Sequence, residues 1–478
     1  MAGPGHDVDS FEPTSGSDFA DCPYNPAVEI VDCAVFAVSS NSYSLLHGNC
    51  LTPGHLHSRK VVMSEFVLVG GTALIGADLV PQQDSWIRVD ETGRVSALGT
   101  GVYEESEITQ FDASGTIICP AFLNAHTHVI DGFLKEVGFG EPFWDVFMPP
   151  DGLRHQALGV APADLLKTQL GRTLDQMIAC GTSLFVDFRE GGRPGVLMLE
   201  SVAADKFIQP LTLGRFAEYP PQSDEALATN SGALTGDALD EISGIVEDGA
   251  GFSLVGANDL TDEGLNQVRE HVRSLDALLA LHVAESPPYR EVSIERTGQS
   301  DVHRVIDHLL PDFAVHLTFA TSDEMERLAD ARIPGVCCPR NHAVIGLGVP
   351  RFDLMLEAGM DVALATDNII LSSPDPLAEV QFASRAIRAI RQDPSFPSAV
   401  DMLKMITINP ARILHVDDLR GSIDVGKRAD LILVDTTTNN LAPVTDPVAA
   451  LVNRATSADF RAVFNGGRLA HGLPLETI

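Results

Sequence analysis

Short apolar runs alternate with amphipathic stretches through the middle of this 478-residue chain, and that alternation limits the fold more than any other feature. The runs lie at 183–187, 210–216, 252–256, 278–283, 314–317, 335–338 and 362–366. Each is brief, continuous and apolar, as suits a parallel strand covered on both faces. Helix-period stretches separate most of them, for example 165–178, 261–275 and 376–391. With the run ahead of His126, the count reaches about eight, the number that closes a parallel β/α barrel. The expected class is α/β: a distorted TIM-type (β/α)8 barrel over residues 119–414. Such barrels carry their chemistry at the carboxyl ends of the strands.

The flanks have a different texture. Between 63 and 118, runs at 66–69, 85–89, 95–98 and 116–119 alternate with Gly, Asp and Asn turns. The pattern returns at 430–434 and 460–464, followed by the hairpin signal Asn465-Gly466-Gly467. Residues 64–118 and 415–475 are therefore expected to build one small composite β-sandwich domain from both chain ends. Residues 1–62 are rich in Ser, Gly, Pro, Asn and His and show little periodicity. They read either as a disordered extension or as residues ahead of a true start at Met63.

Charge narrows the partners. Sixty-six acids against thirty-two bases leave a formal net charge of −34. Nucleic-acid phosphates and anionic lipid both demand a cationic surface, so neither is an expected partner. Only six of the bases are lysine. An acidic, lysine-poor surface suits a cytosol of high salt, where ions screen the self-repulsion. Seven cysteines without regular spacing point to a reducing compartment. No early basic run marks a signal peptide, and no apolar stretch reaches the ~18 residues of a membrane span. The expected location is cytoplasmic.

Polar residues gather where a barrel enzyme needs them. His126 and His128 follow an apolar run two residues apart, and on a strand such residues share a face. His282 ends the run at 278–283, with Glu285 three residues on. His316 ends the next run, and Asp367 follows the run at 362–366. Three neutral imidazoles and a carboxylate suit one Zn2+ or Fe2+ with an open position for water. Such a metal lowers the pKa of water towards neutrality, and a nearby Glu can shuttle protons.

The ordered set HxH, HxxE, H and D resembles the amidohydrolase superfamily, and within it the mononuclear cytosine, guanine and S-adenosylhomocysteine deaminases and the related chlorohydrolases. The segment from Gly421 to Leu433 resembles that superfamily's return into its small β domain, and Ile406-Thr407-Ile408-Asn409-Pro410-Ala411-Arg412-Ile413-Leu414 resembles its preceding helix. The resemblance implies that His126, His128, His282 and Asp367 bind the metal. Glu285 would then protonate the ring nitrogen beside the attacked carbon. His316 would orient the hydroxide, and Asp367 would also carry its proton to the leaving amine. The fourth run, at 252–256, lacks the lysine that bridges two metals in binuclear members, so one metal is expected.

The implied reaction is deamination of an aminated heterocycle: a pyrimidine, purine, pterin or nucleoside. Hydrolysis of a ring amide or a carbon–halogen bond is the alternative, and a catalytically silent scaffold the alternative outside enzymes. The partner is a small molecule, and a homodimer stays open. Asp131, Lys135, Arg189, Glu190, Arg340 and Asn341 are candidate pocket residues, with His342 behind them. Cys337 and Cys338 read as buried strand residues. His155, His271, His303 and His308 read as packing or loop histidines, and Phe143, Trp144, Phe147 and Met148 as packing more than lid.

Overall fold

A computed structural model describes residues 64–472 and 474–478; the expectations for residues 1–62 lie outside them. The described chain opens with β1 (Phe66–Ile75), β2 (Val80–Val89), β3 (Val95–Thr100), β4 (Thr109–Asp112) and β5 (Thr116–Pro120). β1, β2 and β3 form an antiparallel meander, while β4 and β5 pair in parallel with successive halves of β1.

The barrel strands follow: β6 (Phe122–His128), β7 (Thr182–Arg189), β8 (Gln209–Gly214), β9 (Gly251–Leu254), β10 (Leu278–Val283), β11 (Phe313–His316), β12 (Gly335–Cys337), β13 (Val362–Leu364) and β14 (Asp367–Asn368). Neighbours pair in parallel in chain order from β6 to β13. β13 and β14 are two halves of one segment. The first half pairs with β12 and the second with β6, so the sheet returns to its first strand. Side chains pin that return: Asn124 donates to Thr366 Oγ1 at 2.8 Å and accepts from the Thr366 amide at 3.1 Å.

The helices obey ordinary rules. Ala163–Ala179 buries Leu166, Leu170, Thr173, Leu174, Met177 and Ile178, a single stripe at helical spacing. Pro376–Arg391 starts with Pro at its first position. Asp375 caps it, accepting from the Leu377 and Ala378 amides at 3.0 and 3.2 Å.

The chain then returns through β15 (Leu431–Asp435), β16 (Phe460–Asn465) and β17 (Arg468–Gly472). β15 pairs antiparallel with β5, which joins both chain ends in one eight-stranded mixed sheet. Phe66 on β1 and Phe464 on β16 lie three strand spacings apart along that sheet. A flat sheet would hold them about 14 Å apart at roughly 4.8 Å per strand, yet their rings meet at 5.7 Å. The sheet therefore folds over a core of its own, which includes Leu68, Ile87, Val95, Ile118 and Leu433.

Candidate metal centre

Strand alternation decides which side chains enter the barrel. Leu184, Val186 and Phe188 on β7, Ala280 on β10, and Phe313 and Val315 on β11 form one buried interior cluster. On β6 the register against β7 slips between Asn124 and Thr127. A slip of one residue exchanges the faces of everything after it. Thr127 pairs with Asp187, which sets His126 and His128 beside Val186 and Phe188, and so inside. His282 pairs with Val315 and points inward by simple alternation. His316 pairs with Val283, which packs outside the barrel, so alternation alone would turn His316 out. Its φ of +78° breaks the alternation, and its ring stacks on that of His282 at 5.1 Å and 13°. Ala363 and Ala365 face the interior cluster, and Asp367, two residues on, does the same. Asp367 also has a positive φ, of 63°, as does Ala284 after β10, of 46°. Left-handed backbone at non-glycine residues costs energy, and here it gathers where side chains must be aimed.

One ring nitrogen each of His126, His128 and His282 lies within 4.8 Å of the others; a second such group joins His126, His316 and Asp367. His126 Nε2 is 3.2 Å and His128 Nε2 3.6 Å from Asp367 Oδ1. Backbone carbonyls hold two of the rings from behind: His282 Nδ1 donates to Val255 at 2.8 Å, and His128 Nδ1 lies 3.2 Å from the carbonyl of Phe188. Such bonds fix the tautomer and leave Nε2 free to face the centre. His126 is fully buried; its Nδ1 has no hydrogen-bond partner, and its Nε2, though 3.2 Å from Asp367 Oδ1, lacks the geometry of a hydrogen bond. A buried imidazole without a partner is costly, and a cation among these donors would remove that cost. The donor set fits a divalent metal on this ground.

The electrostatics agree with metal binding. Burial pushes His126 down to about 4 and holds His282 and His316 well below the usual histidine range, so the imidazoles are neutral as ligands must be. Burial alone would raise Asp367, but the contact with His126 and the other imidazoles outweigh it and hold the carboxyl well below its usual value. Asn341 Nδ2 donates to the other oxygen, Oδ2. Glu285 goes the opposite way. Burial, then the charge of Asp367, push it up to about 8. Its Oε1 lies 3.5 Å from His316 Nε2, and its side chain is 20% exposed, towards the pocket.

That pocket is lined by His128, His282, Glu285, Asn341 and Asp367 on the barrel side. Phe143, Phe147 and Met148 face them from the segment after β6, with Arg154 and His155, and Arg215 joins the wall from the end of β8. Asn341 is thus the one candidate pocket residue from the sequence that lines it. Glu190 and Asp131 stand behind it. Glu190 Oε1 accepts from Arg154 at 2.6 Å and Arg215 at 3.2 Å and lies 3.3 Å from His128 Nδ1. Asp131 takes Arg154 Nε at 2.8 Å.

The other three candidates are elsewhere. Arg189 follows the inward Phe188, so alternation sends it out, where it donates to the Gly195 carbonyl at 2.9 Å. Lys135 follows the 3-10 turn Val129–Phe133 and is exposed, 3.4 Å from Gln176 Oε1. Arg340 turns to Glu379, with its Nε 3.2 Å from Oε2. Two readings change as well. His155 is a pocket residue rather than a packing one, pushed down to about 4 by burial and then by Arg154. Phe143 and Phe147, whose rings lie 5.7 Å apart, wall the pocket. Arg154 and Arg215 carried no sequence signal: only the fold brings them to Glu190. Cys337 and Cys338 are buried and free, as expected.

Phe188 is the centre's packing support, with its ring 4.5 Å from that of His126 and 5.2 Å from that of His282. Phe188→Ala is expected to cost about 3–5 kcal/mol in urea unfolding of the metal-free protein, as large buried truncations do.

Residues 117–470 match the sequence profile of the Amidohydrolase family. The chain belongs to that family. A Methanothermobacter thermautotrophicus protein provisionally assigned as an aminohydrolase is 29% identical over 407 residues, spanning 85% of this chain and 99% of its own. The 5-methylthioadenosine/S-adenosylhomocysteine deaminase of Thermoanaerobacter pseudethanolicus is 26% identical over 371 residues, 75% of this chain and 82% of its own. Among solved structures, a Xanthomonas campestris adenosine deaminase with bound zinc superposes with a TM-score of 0.73 at 20% identity, over 84% of this chain and 92% of that one. This amidohydrolase is thus a deaminase-like hydrolase with a histidine-rich candidate metal site. None of its described helices is long and apolar enough to cross a membrane.

Proposed function

We propose that this amidohydrolase removes an amino group hydrolytically from a heterocycle: a pyrimidine, a purine, a pterin or one of their nucleosides. His126, His128, His282 and Asp367 would hold one divalent cation, Zn2+ in the first place and Fe2+ in the second. The observation that carries the reading is Glu285, a carboxyl in the pocket wall whose proton is held up to about 8. Deamination of a cyclic amidine needs an acid for the ring nitrogen beside the attacked carbon. Halide displacement also charges that ring nitrogen, but the halide leaves without a proton and needs no transfer to the leaving group; an amine needs both, and Glu285 and Asp367 together offer both.

When bound, the cation supplies Lewis acidity and lowers the pKa of water towards neutrality. The chain supplies the rest. Glu285, whose carboxyl is raised by burial and by Asp367, donates to the ring nitrogen. Asp367, held ionised, takes a proton from the attacking water and passes it to the amino group, which leaves as ammonia. His316, neutral, hydrogen-bonds the attacking oxygen and orients it. Asn341 fixes Asp367 through its second oxygen. Arg154 and Arg215 hold Glu190 against His128, which secures that ring from behind.

The test is an ammonia-release screen of the metal-loaded protein over amino-heterocycles, at low and high KCl. At least one class should release ammonia stoichiometrically with loss of its amino form. The net charge of −34 predicts faster turnover and a higher melting temperature in high KCl, where self-repulsion is screened. Silence across the panel with stoichiometric metal would remove the deaminase reading. Full activity and stability without salt would remove the halophilic one.

A further inference from the structure

Away from the imidazoles, a cavity of about 290 Å3 opens between the barrel and the mixed sheet. Ser183, at the start of β7, belongs to its wall. Phe188, which touches His126 and His282, lies five residues on, or about 17 Å along a strand. The cavity is therefore at the opposite end of the barrel from the catalytic pocket. Four cations line it, Lys206, Arg420, Arg428 and Arg468, together with Phe207 and a single acid among the described residues, Glu91. In a chain with twice as many acids as bases, such a lining runs against the composition.

Two of the cations are already engaged. Lys206 donates to Asp175 at 2.5 Å. Arg420 donates to Asp430, and to Gln209 Oε1 at 2.5 Å. The other two make no side-chain hydrogen bond to an acid among the described residues. Among the described residues the one acid Arg428 approaches is Asp430, at 3.5 Å, a carboxylate already taken by Arg420 and by the Gly466 amide. Its Nε is buried and has no hydrogen-bond partner. Arg468 makes no ion pair among the described residues; its guanidinium lies over the ring of Phe207 at 5.6 Å. Phe207 is 43% exposed, with apolar surface uncovered at the cavity wall.

We propose that this cavity binds a small phosphate ester, with the phosphate between Arg428 and Arg468 and the organic part against Phe207. A guanidinium presents a rigid fork of donors that fits a tetrahedral oxyanion, and two such forks at one cavity satisfy several of its oxygens. The volume is of the order that small organic ligands occupy, about 300 Å3 and above, so the site has room for more than a phosphate group. Arg428 and Arg468 make no side-chain hydrogen bond to an acid among the described residues, so both have donors to offer.

The test uses metal-loaded protein at constant chloride concentration, titrated by calorimetry with inorganic phosphate, phenyl phosphate and phenol. Both phosphates should bind saturably, phenyl phosphate the more tightly, and phenol not measurably. Arg428→Gln and Arg468→Gln should each weaken both at least tenfold, with metal content and melting temperature unchanged. Both side chains are partly exposed, so the variants should fold. Absence of saturable binding overturns the proposal. So does binding that survives both substitutions, which places the anion elsewhere, for instance at the catalytic metal. Equal affinity for the two phosphates overturns the organic part.

Discussion

His282→Ala is expected to purify with little divalent metal and to lose metal affinity by more than about 100-fold, beyond the 10–100-fold typical of losing an outer partner of a ligand. The site has no substitute for this ring. His282 shares a 4.8 Å donor group with His126 and His128, and its Nδ1 is held by Val255 so that Nε2 faces the centre. His316 stacks on His282, but its nearest acidic neighbour is Glu285, and its ring sits on the Asp367 side of the cluster. Removing His282 also leaves His126 with fewer neighbours around its two unpartnered nitrogens. The measurement is metal per chain by plasma mass spectrometry after dialysis, with a chelator competition for affinity. Metal content equal to wild type would show that the ligand set is wrongly assigned.

What could be seen in the sequence was what repeats or lies close together. The eight barrel runs are continuous and apolar because parallel strands are covered on both faces, and each appears in the structure within a few residues of its expected bounds. The HxH spacing put His126 and His128 on one face, and they share one. The means that turns that face inward, a register slip on β6, has no local signature. Nor has the left-handed backbone at His316, without which the ring would leave the barrel. Among pocket residues the same limit holds. Arg189 is the last residue of its strand whereas His282 is the last but one, and that difference of one sends Arg189 outward. Arg154 and Arg215 lie 61 positions apart in the chain, so only the folded barrel can bring them to one carboxylate. The small strand β4 has no such signal either: it is four residues long and mostly half-buried, without a clear apolar run.

Glu285→Gln separates the proton from the metal. The variant should keep its metal content, because Glu285 is outside the group formed by His126, His128 and His282. Its kcat should fall by about 100- to 10,000-fold, the range that a positioned acid contributes. Glutamine keeps the size of the side chain and a hydrogen-bond donor but cannot transfer a proton, so KM should change little. The pH profile gives an independent check. Glu285 is useful only while protonated, and its carboxyl is raised to about 8 by burial and by Asp367. Wild-type activity should therefore decline as pH rises through an alkaline limb. A bound cation favours the carboxylate form and draws that limb to about 8 or below. In Glu285→Gln no carboxyl remains to lose its proton, so this limb should vanish from whatever activity is left. Near-wild-type turnover in the variant, or an unchanged alkaline limb, would take the acid's role from Glu285 and leave the imidazole cluster as a site for a different hydrolysis.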